Sequence, residues 1–241
     1  LFFTLFCFKL ILISFLFFED ILRLIVSTYK FFFSPTESFL IDRRGFLSKI
    51  ALLIASIPIP FVLHGIFKGR YNYKVYNYDL NFEDLPKEFD GYQITHISDI
   101  HSGSLNNIKS VEYAVELINE QNSDLILFTG DIVNNRADEL DVWKNTLSKI
   151  EANDGKYSVL GNHDYGDYVN WKFENEKKDN FENLLKIQNE MGFNLLMNEN
   201  INIKRNKQSI SLIGVENWGK GRFKKKGDID KACNGLNEND F

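Results

Sequence analysis

The chain is 241 residues long, with 44% hydrophobic residues and a formal net charge of −5. The hydrophobic residues concentrate at the start, and residues 68–241 carry 22 basic and 29 acidic side chains, a net charge of −7. This acidic balance argues against a nucleic-acid partner. The two cysteines, Cys7 and Cys233, are too few for a disulfide framework or a thiolate metal site.

Residues 1–67 are predicted to form a membrane region with two or three apolar helices. Leu1 to Phe18 contains a single charged residue, and Ile50 to Phe67 contains none. Both runs have about the length that a helix needs to cross a bilayer core. Ile21 to Phe33 is shorter and holds two basic residues, so it fits a tilted span, a hairpin arm or an interfacial helix.

The segment ahead of the second apolar run, Asp42 to Lys49, reads D-R-R-G-F-L-S-K and is typical of a twin-arginine export signal. Because no A-x-A cleavage site follows, an uncleaved anchor fits better than a removed peptide. A cytoplasmic loop marked by Arg43 and Arg44 explains the same residues. Both interpretations favour an integral protein of the cell membrane with the domain after residue 67 on the extracytoplasmic side, although a second positive cluster at residues 68–74 opposes this sidedness.

The remaining residues predict a connector followed by an α/β domain. Residues 68–91 are predicted as a strand and a connector, with Tyr71–Leu80 as an edge strand. Residues 92–241 alternate short apolar runs with amphipathic segments, which predicts a largely parallel sheet with helices packed on it. The predicted elements are strand Tyr92–Ser98, helix Asn107–Gln121, strand Asp124–Thr129, helix Leu140–Ile150, strand Lys156–Leu160, helix Phe181–Met191 and a hairpin of Ile201–Lys204 with Ser209–Val215. Arg222–Lys226 is interpreted as a solvated basic loop.

Residue types that bind metals follow three of the predicted strands. The motifs are Asp99-Ile100-His101, Gly130-Asp131 and Gly161-Asn162-His163-Asp164. Because the carboxyl ends of parallel strands meet at one edge of a sheet, we expect the three motifs to form one site. Carboxylate, amide and imidazole groups suit divalent or trivalent cations. The alternative is that these residues only shape the turns after the strands.

The trio of motifs resembles the metal-binding half of the calcineurin-like metallophosphoesterases, and the apolar start with its R-R pair resembles their bacterial membrane-associated branch. The resemblance implies a metallophosphoesterase-type α/β/β/α sandwich. It also implies hydrolysis of a phosphomonoester, phosphodiester or pyrophosphate bond at a two-metal site with a metal-activated hydroxide. The implied partners are the membrane and a phosphoester substrate, which includes lipid-linked and nucleotide-linked phosphates. Some relatives cleave the pyrophosphate of UDP-diacylglucosamine, but nothing in this sequence identifies that substrate.

The resemblance assigns a role to each motif residue. The implied ligands of the two metal ions, expected to be Mn, Fe or Zn, are Asp99, His101, Asp131 and Asn162. The resemblance makes Asp131 the ligand that bridges both ions. It implies that His163 contacts the phosphate or protonates the leaving oxygen, and that Asp164 orients His163. Asn134, just past Gly130-Asp131, is a further candidate for substrate binding, although it also fits a turn.

The chain departs from the family pattern in its histidines. The family completes its site with a later lone His and a G-H-x-H motif, whereas no His follows His163 here. We expect these ligands beyond Phe241, which would make residues 92–241 the N-terminal part of the catalytic domain in a C-terminally truncated fragment. The alternative is a catalytically inactive binding or scaffold protein that keeps the fold without these ligands. Glu216 and Asp228 are expected to be ordinary surface carboxylates.

Overall fold

The computed structural model describes residues 2–33, 42–221, 223–237 and 241. The chain forms two compact units, Leu1–Val75 and Tyr76–Phe241. The first predicted apolar segment begins at Leu1 and the predicted basic loop begins at Arg222, and both of these residues lie outside the described ranges.

Three α-helices make up most of the first unit. They are α1 (Phe2–Phe33), α2 (Asp42–Ser56) and α3 (Pro58–Phe67), with a 3₁₀ turn at Gly69–Tyr71. Helix α1 continues without a break through residues 21–33, so this segment is not a separate hairpin arm. Its 32 residues extend about 48 Å at 1.5 Å per residue, which exceeds the roughly 30 Å of a bilayer core.

The second apolar run lies in α2 and α3, which are separated at Ile57. Pro58 and Pro60 fall in the first turn of α3, where a missing backbone N–H disrupts no helical hydrogen bond. Among the described residues, Ser48–Tyr71 is the stretch long and apolar enough to cross a membrane, and its most apolar 18 residues have a mean hydropathy of 2.2. Length and composition therefore make this stretch the candidate membrane span.

A four-stranded parallel sheet organises the second unit. Its strands are β1 (Ile94–Ile97), β2 (Leu125–Phe128), β3 (Lys156–Ser158) and β4 (Phe193–Leu195), in the order β1-β2-β3-β4. The connections contain α4 (Ile108–Asn119), α5 (Lys144–Leu147) and α6 (Glu174–Glu190). The predicted α/β class with a parallel sheet is confirmed. Strand β4, which follows the predicted helix Phe181–Met191 after a single glycine, was not predicted.

The two faces of the sheet are covered differently. On β2, Ile126 and Phe128 pack into the core formed with the helices, whereas Leu125 and Leu127 pack on the other side. That other side is covered by the antiparallel hairpin of β5 (Glu199–Arg205) and β6 (Gln208–Gly214), which contributes the buried Ile203. Helices, parallel sheet and hairpin thus supply three successive layers. The short helix α7 (Ile229–Ala232) follows the hairpin.

The predicted edge strand at Tyr71–Leu80 is wrong. After the 3₁₀ turn, residues 72–82 have no regular secondary structure. Tyr76 and Tyr78 are 69% and 80% exposed. Alternating tyrosines fit a strand only where a neighbouring strand and a packed face receive them, and this segment has neither among the described residues.

Two helix predictions also differ from the structure. The predicted helix Leu140–Ile150 is divided into a 3₁₀ turn at Ala137–Leu140 and the four-residue α5, because apolar residues three positions apart fit a 3₁₀ turn as well as an α-helix. Helix α6 begins at Glu174, before the predicted Phe181. Apolar spacing does not reveal the first turns of α6 because they are polar.

Candidate metal centre

The first two motifs lie side by side because β1 and β2 continue to associate beyond their last paired residues. The N–H of Asp99 donates to the carbonyl of Gly130 at 3.1 Å, and the N–H of His101 donates to the carbonyl of Asp131 at 3.0 Å. The parallel register aligns Ile97 with Phe128 just before them. These two bonds place the backbone of Asp99 and His101 beside that of Gly130 and Asp131.

Three candidate ligands have left-handed backbone conformations. The φ angles of Asp99, His101 and Asp131 are 53°, 46° and 57°. A left-handed conformation costs an ordinary residue about 1–2 kcal/mol, although Asp and His adopt it more readily than most residues do. Such strain at neighbouring polar residues is typical of functional sites.

Two glycines allow the ends of β2 and β3 to meet. A Cβ atom on Gly161 would lie 2.2 Å from Oδ1 of Asp131, and one on Gly130 would lie 2.1 Å from the backbone nitrogen of Gly161. Gly130 also has a φ of 94°, which favours glycine. The glycines of the G-D and G-N-H-D motifs are thus needed for the close approach that carries the third motif to the first two.

The ligand atoms of His101, Asp131 and His163 lie within 4.8 Å of one another. Asp131 is 8% exposed, and its Oδ2 lies 3.9 Å from Nε2 of His101. Its Oδ1 accepts a hydrogen bond from the backbone N–H of His163 at 2.8 Å. A buried carboxylate requires compensating positive charge, and carboxylate with imidazole suits Mn, Fe and Zn. This donor set therefore fits a metal cation.

Asp99 and Asn162, the other two predicted ligands, lie at the margin of this cluster. Oδ1 of Asp99 is 3.7 Å from Nε2 of His101, and the Asp99 side chain is 65% exposed. Asn162 directly precedes His163, and its amide nitrogen donates to the hydroxyl of Tyr168 at 2.8 Å. That contact uses the amide nitrogen and not the oxygen that would bind a cation. The ligand roles of both residues stay predictions.

His163 is oriented by a backbone carbonyl. Its Nδ1 lies 2.5 Å from the carbonyl oxygen of Asn134. Because a carbonyl only accepts hydrogen bonds, Nδ1 must carry a proton. In the neutral ring Nε2 then presents a lone pair, which can bind a cation or accept a proton.

The predicted contact between Asp164 and the ring of His163 is therefore corrected. Asp164 is fully buried, and its carboxylate accepts the backbone N–H groups of Asp131 at 2.8 Å, Ile132 at 2.9 Å and Gly161 at 2.9 Å. Burial raises the pKa of this carboxyl to about 7, against the lowering effect of the N–H donors. Asp164 ties the ends of β2 and β3 together, so it positions the site through the backbone.

Sequence reasoning missed the aromatic neighbour of His163. The ring of Tyr168 lies 4.7 Å from the His163 ring, centroid to centroid, and Tyr168 is 48% exposed. Tyr168 lies in a loop, where no periodic pattern distinguishes a site residue. Asn134 was predicted as a substrate contact; its side-chain amide donates to Ser104 at 2.9 Å, and that predicted role is untested.

Both the apolar first part of this chain and its α/β domain match known protein families. Residues 92–238 match the family described as "Calcineurin-like phosphoesterase", and residues 1–70 match "Probable Calcineurin-like phosphoesterase, transmembrane domain". The chain is 26% identical over 194 residues to "Transmembrane protein with metallophosphoesterase domain" of Danio rerio, covering 77% of this chain and 41% of that protein. It is 27% identical over 218 residues to an uncharacterized metallophosphoesterase of Helicobacter pylori, covering 88% and 53%.

A shorter match concerns a relative with a named activity. The chain is 32% identical over 89 residues to "UDP-2,3-diacylglucosamine pyrophosphatase LpxG" of Chlamydia muridarum, which covers 35% of this chain and 27% of that protein. The chain thus spans about half or less of the length of these three relatives. Because the phosphoesterase match extends over more than half of the residues, this protein belongs to the calcineurin-like phosphoesterase family, and it carries the transmembrane domain of that family ahead of the phosphoesterase domain.

Proposed function

We propose that this protein is a membrane-anchored, metal-dependent phosphoesterase that hydrolyses a phosphomonoester, phosphodiester or pyrophosphate bond. The observation that carries the proposal is the convergence of His101, Asp131 and His163 at the carboxyl edge of a parallel sheet. The transmembrane domain and the name of the LpxG relative support a lipid-linked or nucleotide-linked phosphate as the substrate.

In this proposal the cluster and its margin hold two cations. The proposed ligands are Asp99, His101, Asp131 and Asn162. Bound cations would polarise the phosphoryl oxygens and make a water molecule more acidic. Of the two proposed carboxylate ligands Asp131 is the buried one, and its Oδ2 lies 3.9 Å from Nε2 of His101, so Asp131 would be the ligand shared by both ions.

His163 supplies the second part of the proposed chemistry. Because Nδ1 contacts the carbonyl of Asn134, Nε2 is the ring nitrogen that this contact leaves available for a substrate. A protonated ring can contact a phosphate oxygen or deliver a proton to the leaving oxygen from Nε2. Because the contact at Nδ1 limits rotation of the ring, Nε2 keeps its orientation without a carboxylate partner.

The experiment uses the complete product of the gene in detergent and two variants, Asp131→Ala and His163→Ala. Manganese affinity is measured by calorimetry, and hydrolysis is measured with a chromogenic phosphodiester. Asp131→Ala should remove both metal binding and hydrolysis, with an affinity loss above the roughly 10–100-fold cost of an outer-shell substitution. His163→Ala should lower turnover more than metal binding if His163 acts on the substrate.

Asp141→Ala is the matched control, because Asp141 is an exposed carboxylate of the same unit. It should retain the wild-type metal affinity. Equal metal affinity and activity of Asp131→Ala and wild type would refute the proposal. Firm metal binding by the wild type without any hydrolysis would instead support the alternative of a binding or scaffold protein that keeps the fold.

A further inference from the structure

The loop after β6 comprises residues 216–228 and is named the basic loop from here on. It contains the shorter segment Arg222–Lys226 predicted from the sequence, and it concentrates positive charge on an otherwise acidic unit. Five of the seven residues from Lys220 to Lys226 are basic and none is acidic, although residues 68–241 have a net charge of −7. Lys220, Lys224, Lys225 and Lys226 are all exposed. Such a local reversal of charge favours an anionic partner on this side of the unit.

The basic loop also exposes large aromatic side chains. Trp218 is 53% exposed and Phe223 is 39% exposed. Nζ of Lys225 lies 3.9 Å from the centroid of the Trp218 ring. Exposed tryptophan among lysines is the composition found at membrane interfaces, where the ring enters the headgroup region and the ammonium groups meet lipid phosphates.

The loop is built on a fixed base. Oδ1 of the buried Asn198 accepts the N–H groups of Glu216 at 3.2 Å and Asp228 at 2.8 Å, which holds both ends of the loop together. Within the loop, the carbonyl of Asn217 accepts the N–H groups of Lys226 and Gly227, both at 2.9 Å. The closed ends and these internal hydrogen bonds give the loop a formed base.

The base of the loop contacts the segment that follows the metal centre. The hydroxyl of Tyr165 donates to the carboxylate of Glu216 at 2.8 Å, and Nζ of Lys224 lies 3.1 Å from Oδ1 of Asp167. Tyr165 directly follows Asp164 in the chain. Direct contacts therefore link the loop to Tyr165 and Asp167, which follow His163 in the chain.

We propose that the basic loop docks on the anionic surface of the bilayer in which this chain is anchored. The bilayer is the partner favoured because the same chain carries a transmembrane domain. Residues 72–86 between the candidate span and the next 3₁₀ turn extend at most about 50 Å. Each lysine near an anionic surface changes the ratio of docked to undocked loop by roughly fivefold. The inference does not depend on the proposed function, because its readout is lipid contact.

The test uses the full chain in nanodiscs, either of phosphatidylcholine alone or of equal parts phosphatidylcholine and phosphatidylglycerol. Quenching of tryptophan fluorescence by brominated lipids is measured for the wild type and for Trp218→Phe, and the difference reports Trp218. We expect this difference in the anionic discs, and we expect it to disappear in neutral discs and in high salt. The wild-type measurements in both lipids and in high salt test the contact with anionic lipid even if a variant folds poorly.

Charge reversal supplies the second comparison. Lys220→Glu with Lys225→Glu should abolish the Trp218 quenching in anionic discs. Lys204→Glu with Lys207→Glu changes the same charge at exposed positions of the β5–β6 hairpin and should leave the quenching intact. Equal Trp218 quenching in neutral and anionic discs, no Trp218 quenching in either, or equal losses from both charge reversals would overturn the proposal.

Discussion

At the scale of single residues, Gly161 controls how closely the third motif approaches Asp131. In Gly161→Ala the new Cβ would lie 2.2 Å from Oδ1 and 2.6 Å from the backbone nitrogen of Asp131. Because backbone atoms cannot move aside cheaply, Asp131 must shift. We expect manganese affinity to fall about 10–100-fold and the free energy of unfolding to fall by about 1–3 kcal/mol, as measured by calorimetry and by thermal unfolding in detergent.

Gly235→Ala is the control for this substitution. Gly235 has a φ of 84°, and a Cβ added there meets nothing within 4 Å. This variant should lose about 1–2 kcal/mol of stability for its left-handed backbone and keep the wild-type metal affinity. An unchanged affinity in Gly161→Ala would contradict the role assigned to the close approach.

Tyr168 allows its two contacts to be separated by substitution. Tyr168→Phe keeps the ring beside His163 and removes the hydroxyl that accepts from Asn162, whereas Tyr168→Leu removes both. If Asn162 is a metal ligand, Tyr168→Phe should weaken manganese binding about 2–10-fold, the effect of one hydrogen bond. Manganese titrations of both variants measure this loss. A fall of turnover that occurs only in Tyr168→Leu would identify the ring contact as the one that positions His163.

Sequence reasoning marked candidate ligands but not the groups that support them. Asp99, His101 and Asp131 could be singled out because each follows a strand and carries a side chain that can bind a metal. The orienting carbonyl of Asn134 could not, because a backbone atom leaves no signature in residue types. The same reasoning paired Asp164 with His163, whereas the structure uses its carboxylate to gather N–H groups from three strand-end residues.

At the scale of elements, an ion-pair network fastens the β5–β6 hairpin to the parallel sheet. Arg205 of β5 pairs with Asp124, just before β2, and Nε of Arg205 lies 3.1 Å from Oδ2 of Asp154. The ring of Tyr92 lies 4.5 Å from the guanidinium carbon, and its hydroxyl donates to Asp154. This network lies at the edge where the strands begin, opposite the metal centre, so it holds the hairpin without occupying the site.

Arg205→Gln should therefore loosen the hairpin. We expect a loss of about 1–3 kcal/mol, because two partly buried carboxylates lose a charged donor. Lys178→Gln is the control, since Lys178 and its partner Glu182 are 75% and 60% exposed and such a pair contributes about 0–1 kcal/mol. Thermal unfolding in detergent compares the two, and similar losses would argue against the network.

The same network predicts a pH dependence. Burial raises the pKa of Asp124, but the N–H of Gln93 and the Arg205 guanidinium outweigh it and hold the pKa below its usual value of 3.8. The stability that Asp124 contributes is therefore present above that value and is lost as the pH falls through the lower folded pKa. Asp124→Asn should lose less stability than the wild type as the pH falls below about 4. An identical acid dependence of both proteins would contradict this.

The element predictions succeeded where a segment supplies its own pattern and failed where a partner decides. Strand β2 is an apolar run, β1 has an isoleucine on each side of two polar residues, and β3 lies in the segment Lys156–Leu160 between two glycines, so their own sequences mark them. The segment Tyr71–Leu80 has the same kind of pattern, yet it forms no strand. Its outcome depends on the presence of a neighbouring strand, which a local pattern does not encode.

At the scale of the whole molecule, sidedness would decide which phosphoesters reach the candidate metal centre. Arg43 and Arg44 precede the apolar run, and basic residues are retained on the cytoplasmic side of a span. The basic residues between 68 and 74 oppose this assignment on the other side. We propose the extracytoplasmic placement of the phosphoesterase domain, because the R-R pair also fits an export signal.

The two native cysteines offer a test of sidedness. In the variant Cys7→Ser, the partly exposed Cys233 is the remaining thiol and lies in the phosphoesterase domain. We expect a membrane-impermeant maleimide to label it in intact spheroplasts. The second variant is Gly45→Cys in a background without native cysteines, which places a thiol next to Arg44 in the chain. A Cβ added at Gly45 meets nothing within 4 Å. This thiol should be labelled only after lysis. The reverse labelling pattern would place the domain in the cytoplasm, because an impermeant reagent reaches only thiols outside the membrane.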